Sequence, residues 1–143
     1  MKNPNPAPPS LISADENTEE ACWELPADSE VVGKARRLAG DALAAWGMSA
    51  VAEDVTMVVS ELVSNAIVHG RTPIVFSLHR HGRTVRGEVT DHSIVWPSPF
   101  PAGPDEEHGR GLAIVAAYAD RWGVEPAPGG KTVWFVCAEW GLR

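Results

Sequence analysis

The chain has 143 residues, with 12 Lys and Arg against 19 Asp and Glu and a formal net charge of −7. That length suits one domain with a sizeable core, and the acidic balance disfavours broad electrostatic attraction to nucleic acid or to an anionic membrane. No apolar run approaches a membrane span, and the first residues lack the basic-then-apolar pattern of a secretory signal, so a cytoplasmic protein is expected. The two cysteines, Cys22 and Cys137, fall in apparent strands; buried reduced thiols are the simpler reading, with a disulfide as the alternative.

Residues 1–20 are rich in Pro, Asn and acid and poor in apolar side chains, which predicts a disordered tail ahead of a folded domain over 21–143. A short strand is expected at about Ala21 to Leu25. The turn Pro26-Ala27-Asp28-Ser29 follows, with Asp28 or Ser29 as helix N-cap. Val32, Ala35, Leu38, Ala39, Ala42 and Leu43 recur at helical spacing within Val31 to Trp46, and Gly47 stops that helix. Ser49 is the expected cap of a second helix running to His69, with Gly70 ending it. Pro73 to Leu78 and Val85 to Thr90 read as strands joined at His81-Gly82-Arg83. Residues 96–107 hold four prolines and several acids, so a loop is expected there. Leu112 to Tyr118 is a predicted helix, Arg121 to Glu125 a strand, and Lys131 to Ala138 a last strand after Pro128-Gly129-Gly130. Helices first, then a strand-rich half with one inserted helix, argue a two-layer α/β (α+β) sandwich: a mixed sheet covered on one face by helices.

The second helix carries the most informative pattern. Val55, Val58, Val59, Leu62, Val63, Ala66 and Ile67 form its apolar face, while Glu61, Asn65 and His69 fall four residues apart on one flanking stripe. A carboxylate and a carboxamide one turn apart beside a buried face are satisfied by something polar in a pocket; a solvated helix face is the plain alternative. Asp91-His92-Ser93 ends a strand, where a carboxylate either meets a ligand or makes a turn. His108-Gly109-Arg110-Gly111-Leu112 opens a helix; backbone N–H groups there can approach a phosphate and Arg110 can add a bidentate contact, or the glycines are a simple hinge. Gly129-Gly130-Lys131-Thr132 superficially matches the end of a phosphate-binding P-loop, but a strand follows rather than a helix, and that reading is rejected. His79 and His81 alternate on one strand face with no third ligand in view, which argues against a metal pair. The six tryptophans are scattered and read as core and rim packing.

Taken together, ELVSNAIVHG resembles the N-box of the GHKL, or histidine-kinase-like, ATPase superfamily. DHS is similar to its first glycine box, HGRGLAIV to its second and GGKTVWF to its closing strand, in the family's order from about Ala21 to Ala138. The likeness is greatest to the short anti-sigma-factor branch, serine/threonine kinases that phosphorylate anti-anti-sigma proteins. The resemblance implies a Bergerat-type ATP-binding fold with ATP and Mg²⁺ as cofactors. It implies that Asn65 helps hold Mg²⁺ and that Glu61 is the catalytic carboxylate acting on the attacking hydroxyl. Asp91 would accept from the adenine amino group, with Ser93 beside it and Thr132 supporting the adenine side. Gly109, Arg110, Gly111 and Leu112 would shape the lid over the phosphates, and His69 would border them. Ser93 stands where the first glycine box has a glycine, and that box's second glycine is missing, which implies a shorter, stiffer lid. Nothing within these residues corresponds to a phospho-accepting histidine domain. The function implied is transfer of the ATP γ-phosphoryl group to Ser or Thr of an anti-anti-sigma-type partner, with a sigma factor as a further partner and a homodimer among the assemblies allowed. The alternative is a non-catalytic ATP-binding module that regulates a partner by binding.

Overall fold

The computed structural model describes residues 18–69, 73–92 and 107–139, with the side chains of residue 69 and residues 107–111 left out of the description. Five strands and three helices follow in the order β1 (Thr18–Leu25), α1 (Val31–Ala45), a 3₁₀ turn (Ser49–Val51), α2 (Ala52–His69), β2 (Ile74–His81), β3 (Thr84–Asp91), α3 (Glu107–Tyr118), β4 (Arg121–Ala127) and β5 (Gly130–Ala138). The strands form one sheet in the order β1-β2-β3-β5-β4.

Every neighbouring pair in that sheet is antiparallel, where a mixed sheet was expected. The reason lies in the crossover. The path from β3 through α3 makes β4 run parallel to β3, yet the hairpin partner β5 is inserted between them and pairs antiparallel with both. A parallel relation therefore exists without a parallel ladder. The sequence expectation of a two-layer α+β sandwich stands, and α1, α2 and α3 pack on the helix-bearing face.

Alternation along the strands separates the two faces. Val85, Gly87, Val89 and Asp91 of β3 and Lys131, Val133, Phe135 and Cys137 of β5 are buried on the helix side. Arg86, Glu88, Thr90, Thr132, Trp134 and Val136 are half-buried on the other. Helix α2 supplies Val55, Val58, Val59, Leu62, Val63 and Ala66 to the core, where they meet Ile74, Phe76, Leu78 and Phe135. Trp23 lies directly across from Phe76, ring centroids 4.9 Å apart.

Element ends differ from the sequence expectation in instructive ways. Strand β1 begins at Thr18, so residues 18–20 belong to the sheet, and the proposed tail at residues 1–17 lies outside the described residues. Helix α1 has no side-chain N-cap bond; Glu30 occupies the cap, and the Asp28 carboxylate accepts from the Glu30 N–H at 3.0 Å, a local turn that competes with capping. Ser49 heads the 3₁₀ turn instead of capping α2, because that turn buries Met48 and Val51 beneath the helix layer. At the other end of α1 the expectation stands: Gly47 has φ 72° and the Met48 N–H reaches the Leu43 carbonyl at 2.8 Å. Gly82, with φ 61°, turns the β2–β3 hairpin. Helix α3 starts at Glu107, five residues earlier than predicted. Gly70 and residues 93–106 lie outside the described residues, and of the loop expected over 96–107 only Glu107 is described, as the first residue of α3.

Cys137 is buried, donating to the Tyr118 carbonyl at 3.7 Å, but Cys22 is exposed, contrary to the expectation of two buried thiols; neither is in a disulfide. They belong to strands that are not neighbours in the sheet.

Two glycines receive aromatic rings. A Cβ on Gly87 would lie 2.2 Å from the Phe135 ring in the closed core, and one on Gly123 would lie 2.7 Å from Trp134 on the uncovered face. Phe135 is fully buried and cannot give way. We expect Gly87→Ala to destabilise the fold by about 1–3 kcal/mol through overpacking. Gly123→Ala should cost less, since Trp134 can tilt toward solvent. Urea unfolding of both variants checks the order.

Candidate functional site

The site begins with α2. Its four buried valines are poor helix formers, so the helix rests on burial of that face against the sheet and its neighbouring helices. Burial fixes the rotation of the helix and with it the flanking stripe. Glu61 and Asn65 lie one turn apart and are both half-buried. Neither side chain has a hydrogen-bond partner among the described residues. A half-buried carboxylate and carboxamide left in this way form an acceptor-rich pair open to a ligand. The side chain of His69, on the same stripe, is outside the description.

The second part of the site lies where β3 ends beside the start of β5. Asp91 pairs with Lys131 in the ladder, and both side chains point toward the helix layer. Asp91 is 3% exposed and Lys131 6%; they are the buried charged residues among the described residues. The Lys131 ammonium donates to both carboxylate oxygens, at 3.0 Å to Oδ1 and 2.9 Å to Oδ2. Gly129, with φ 72°, and Gly130 make this junction possible. A Cβ on Gly130 would stand 1.9 Å from the Asp91 carbonyl oxygen, so any larger residue would push β5 away from β3.

The described structure thus places Asp91 on the same sheet face as α2, and α2 packs directly on β3 and on α3. It does not bring Thr132 to that face. The Thr132 hydroxyl lies 2.7 Å from that of Thr90 on the uncovered side, one strand position from Lys131 and pointing the opposite way. Any help it gives Asp91 passes through the backbone. Gly109, Arg110 and Gly111 lie in the first turns of α3, with their side chains outside the description, and Leu112 is buried. Ser93 lies outside the described residues. His79 meets Glu20 across the β1–β2 pair, Nδ1 to Oε1 at 3.4 Å, and among the described residues no group of three metal-ligating side chains forms.

Lys131 is the buried ionic partner of Asp91 that the sequence reading missed. Its motif was weighed as a phosphate loop and as the start of the closing strand, without a role for its side chain. The alternation of the last strand held the signal: if Val133 and Phe135 face the core, residue 131 shares their face, and that is the face of Asp91.

A two-layer α+β domain carries a polar site between its central helix and its sheet, and comparison with known proteins agrees with that class. Residues 25–137 match the model of the histidine kinase-like ATPase domain, and the chain belongs to that family. Among solved structures it is similar to the RsbU and RsbW domains of Rv1364c from Mycobacterium tuberculosis, with a TM-score of 0.66 and 22% identity. That match covers 84% of this chain and 32% of the other, so this chain spans about a third of that structure's length. A histidine kinase domain from the Erythrobacter litoralis EL346 blue-light activated histidine kinase matches with a TM-score of 0.47 and 18% identity, over 80% of this chain and 62% of that one. No curated protein sequence matches the chain.

Removing one member of a buried ion pair strands the other charge in the interior. We expect Lys131→Met to destabilise the domain by about 3–5 kcal/mol, the usual scale for such a break. The double variant Asp91→Asn/Lys131→Met should recover a large part of that loss. Urea denaturation of the two variants tests the coupling; equal stabilities would show that the pair contributes nothing as a pair.

Proposed function

We propose that the protein binds Mg-ATP between α2, α3 and the β3–β5 junction and transfers the γ-phosphoryl group to a serine or threonine of an anti-anti-sigma-type partner in the cytoplasm. The observation that carries this reading is the half-buried Glu61–Asn65 pair, without a hydrogen-bond partner among the described residues, on the central helix of a histidine kinase-like ATPase domain. A pure binding module has no need of a carboxylate at Glu61.

The residues suit the chemistry. Mg²⁺ takes oxygen ligands from one or two protein groups and completes its shell with phosphate and water, and the carboxamide oxygen of Asn65 fits that demand. When bound, the cation offsets phosphate charge. Asp91 accepts from the adenine amino group, which guanine lacks at that position. Glu61 takes the proton of the partner's hydroxyl as its oxygen bonds to the γ-phosphorus and the bond to the β–γ bridging oxygen breaks, leaving ADP. The first turn of α3, which contains Gly109, offers backbone N–H groups without intrahelical acceptors that suit a phosphate. The likeness to the RsbU–RsbW structure supports the fold, and the sigma-factor pathway rests on the sequence resemblance.

Two measurements follow. A ligand that binds only the folded state stabilises it by about 2.7 kcal/mol at a hundredfold excess over Kd, so Mg-ATP should raise the melting temperature more than Mg-GTP does. No shift at millimolar Mg-ATP would rule the reading out.

Substitution separates binding from transfer. Asn65→Ala should weaken Mg-ATP binding itself. Glu61→Ala should leave binding nearly intact and slow phosphorylation of the partner by roughly 10²–10⁴-fold, the scale of a positioned base. Radiolabel transfer to partner proteins, run beside calorimetric titration, reads both. Tight ATP binding with no phosphorylated partner would favour the binding-module alternative.

A further inference from the structure

An ammonium group has three N–H donors. Lys131 gives two of them to Asp91 and has no other partner among the described residues, although it is buried, with 6% of its surface exposed. Burying a lysine is costly, and an N–H left over in the interior adds to the cost unless something accepts it. A carboxylate offers about four acceptor sites, so pairing with Lys131 does not by itself exhaust Asp91. The junction therefore presents a donor and an acceptor side by side, fixed by the ladder pairing of residues 91 and 131 and by the close approach at Gly130.

We infer that Lys131 is a specificity-determining residue of the base end of the nucleotide site: its remaining N–H donates to the ring nitrogen N1 of adenine while Asp91 accepts from the adjacent amino group. The inference rests on the nucleotide-binding reading above and adds a contact to it. Adenine shows a donor and an acceptor next to each other on that edge, the complement of what Asp91 and Lys131 display. A single carboxylate reads only the amino group. The pair reads both atoms, and the lysine supplies directly, with a charged donor, a contact that a neutral water would make more weakly.

The test uses the full chain with ATP and with 1-deaza-ATP, in which N1 is replaced by C–H. Kd is measured by titration calorimetry for the unmodified protein, for Lys131→Met and for Lys131→Arg. A hydrogen bond to a charged group predicts that the unmodified protein binds the deaza analogue about tenfold more weakly than ATP. In Lys131→Met the two nucleotides should bind alike. Lys131→Arg keeps a charged donor and should retain the difference. A purely structural role for Lys131 would weaken both nucleotides equally and leave their ratio unchanged, which would overturn the inference. Equal binding of ATP and 1-deaza-ATP by the unmodified protein would overturn it as well, without any variant having to fold. Failure of the unmodified protein to bind ATP at all would instead remove the nucleotide function, a result distinct from a lost preference between two bound ligands.

Discussion

Six apolar side chains of α2 are withdrawn from water between α1, α3 and the middle of the sheet, and the remaining architecture is arranged around that burial. Valine is a mediocre helix former, and four valines on one helix face make sense only where the apolar area removed from water exceeds the loss in helix propensity. Once that face is fixed, the helix cannot rotate. Glu61 and Asn65 are then held at the margin of the core, where solvent is partly excluded but backbone partners are already used. A polar pair on a freely exposed helix would be hydrated and unremarkable; the same pair beside this core is available to a ligand.

The two faces of the sheet have divided the work. The helix-bearing face is apolar except at its end, where Asp91 and Lys131 neutralise each other. The uncovered face is stabilised by cross-strand polar pairs. Thr90 bonds Thr132, Glu20 meets His79, and Arg86 stacks over the Trp134 ring at 4.7 Å while holding Glu88 at 2.9 Å. Such pairs contribute modestly each and keep a broad sheet surface compatible with water.

Much of this was legible in the sequence because periodicity reports burial. The 3.6-residue repeat of α2 and the strand patterns of β3 and β5 gave the elements, the layer arrangement, the helix stripe on which Glu61 and Asn65 stand, and the strand end that carries Asp91. What the sequence hid depends on pairings between distant segments. The insertion of β5 between β3 and β4 turned an expected mixed sheet antiparallel, and no local pattern encodes strand order. The Asp91–Lys131 contact joins positions 40 residues apart. Thr132 was assigned to the site by motif, whereas alternation from Phe135 already sends its hydroxyl to the other face. Cys22 shows the same lesson on an edge strand, where half of the side chains meet solvent whatever their polarity.

The insertion of β5 also sets an order of events during synthesis. Strands β1 to β3 can pair as soon as they emerge, but the carboxylate at the end of β3 does not meet Lys131 until α3 and β4 have been made, the chain has reversed at Gly129, and β5 lies between β3 and β4. Closing so non-local a pairing is slow relative to helix formation. On the ribosome, the nascent domain therefore holds part of its core before it holds the Asp91–Lys131 pair. A partly made chain carries the acid–amide pair of α2 yet lacks the lysine opposite Asp91, so the buried ion pair comes with the final strand.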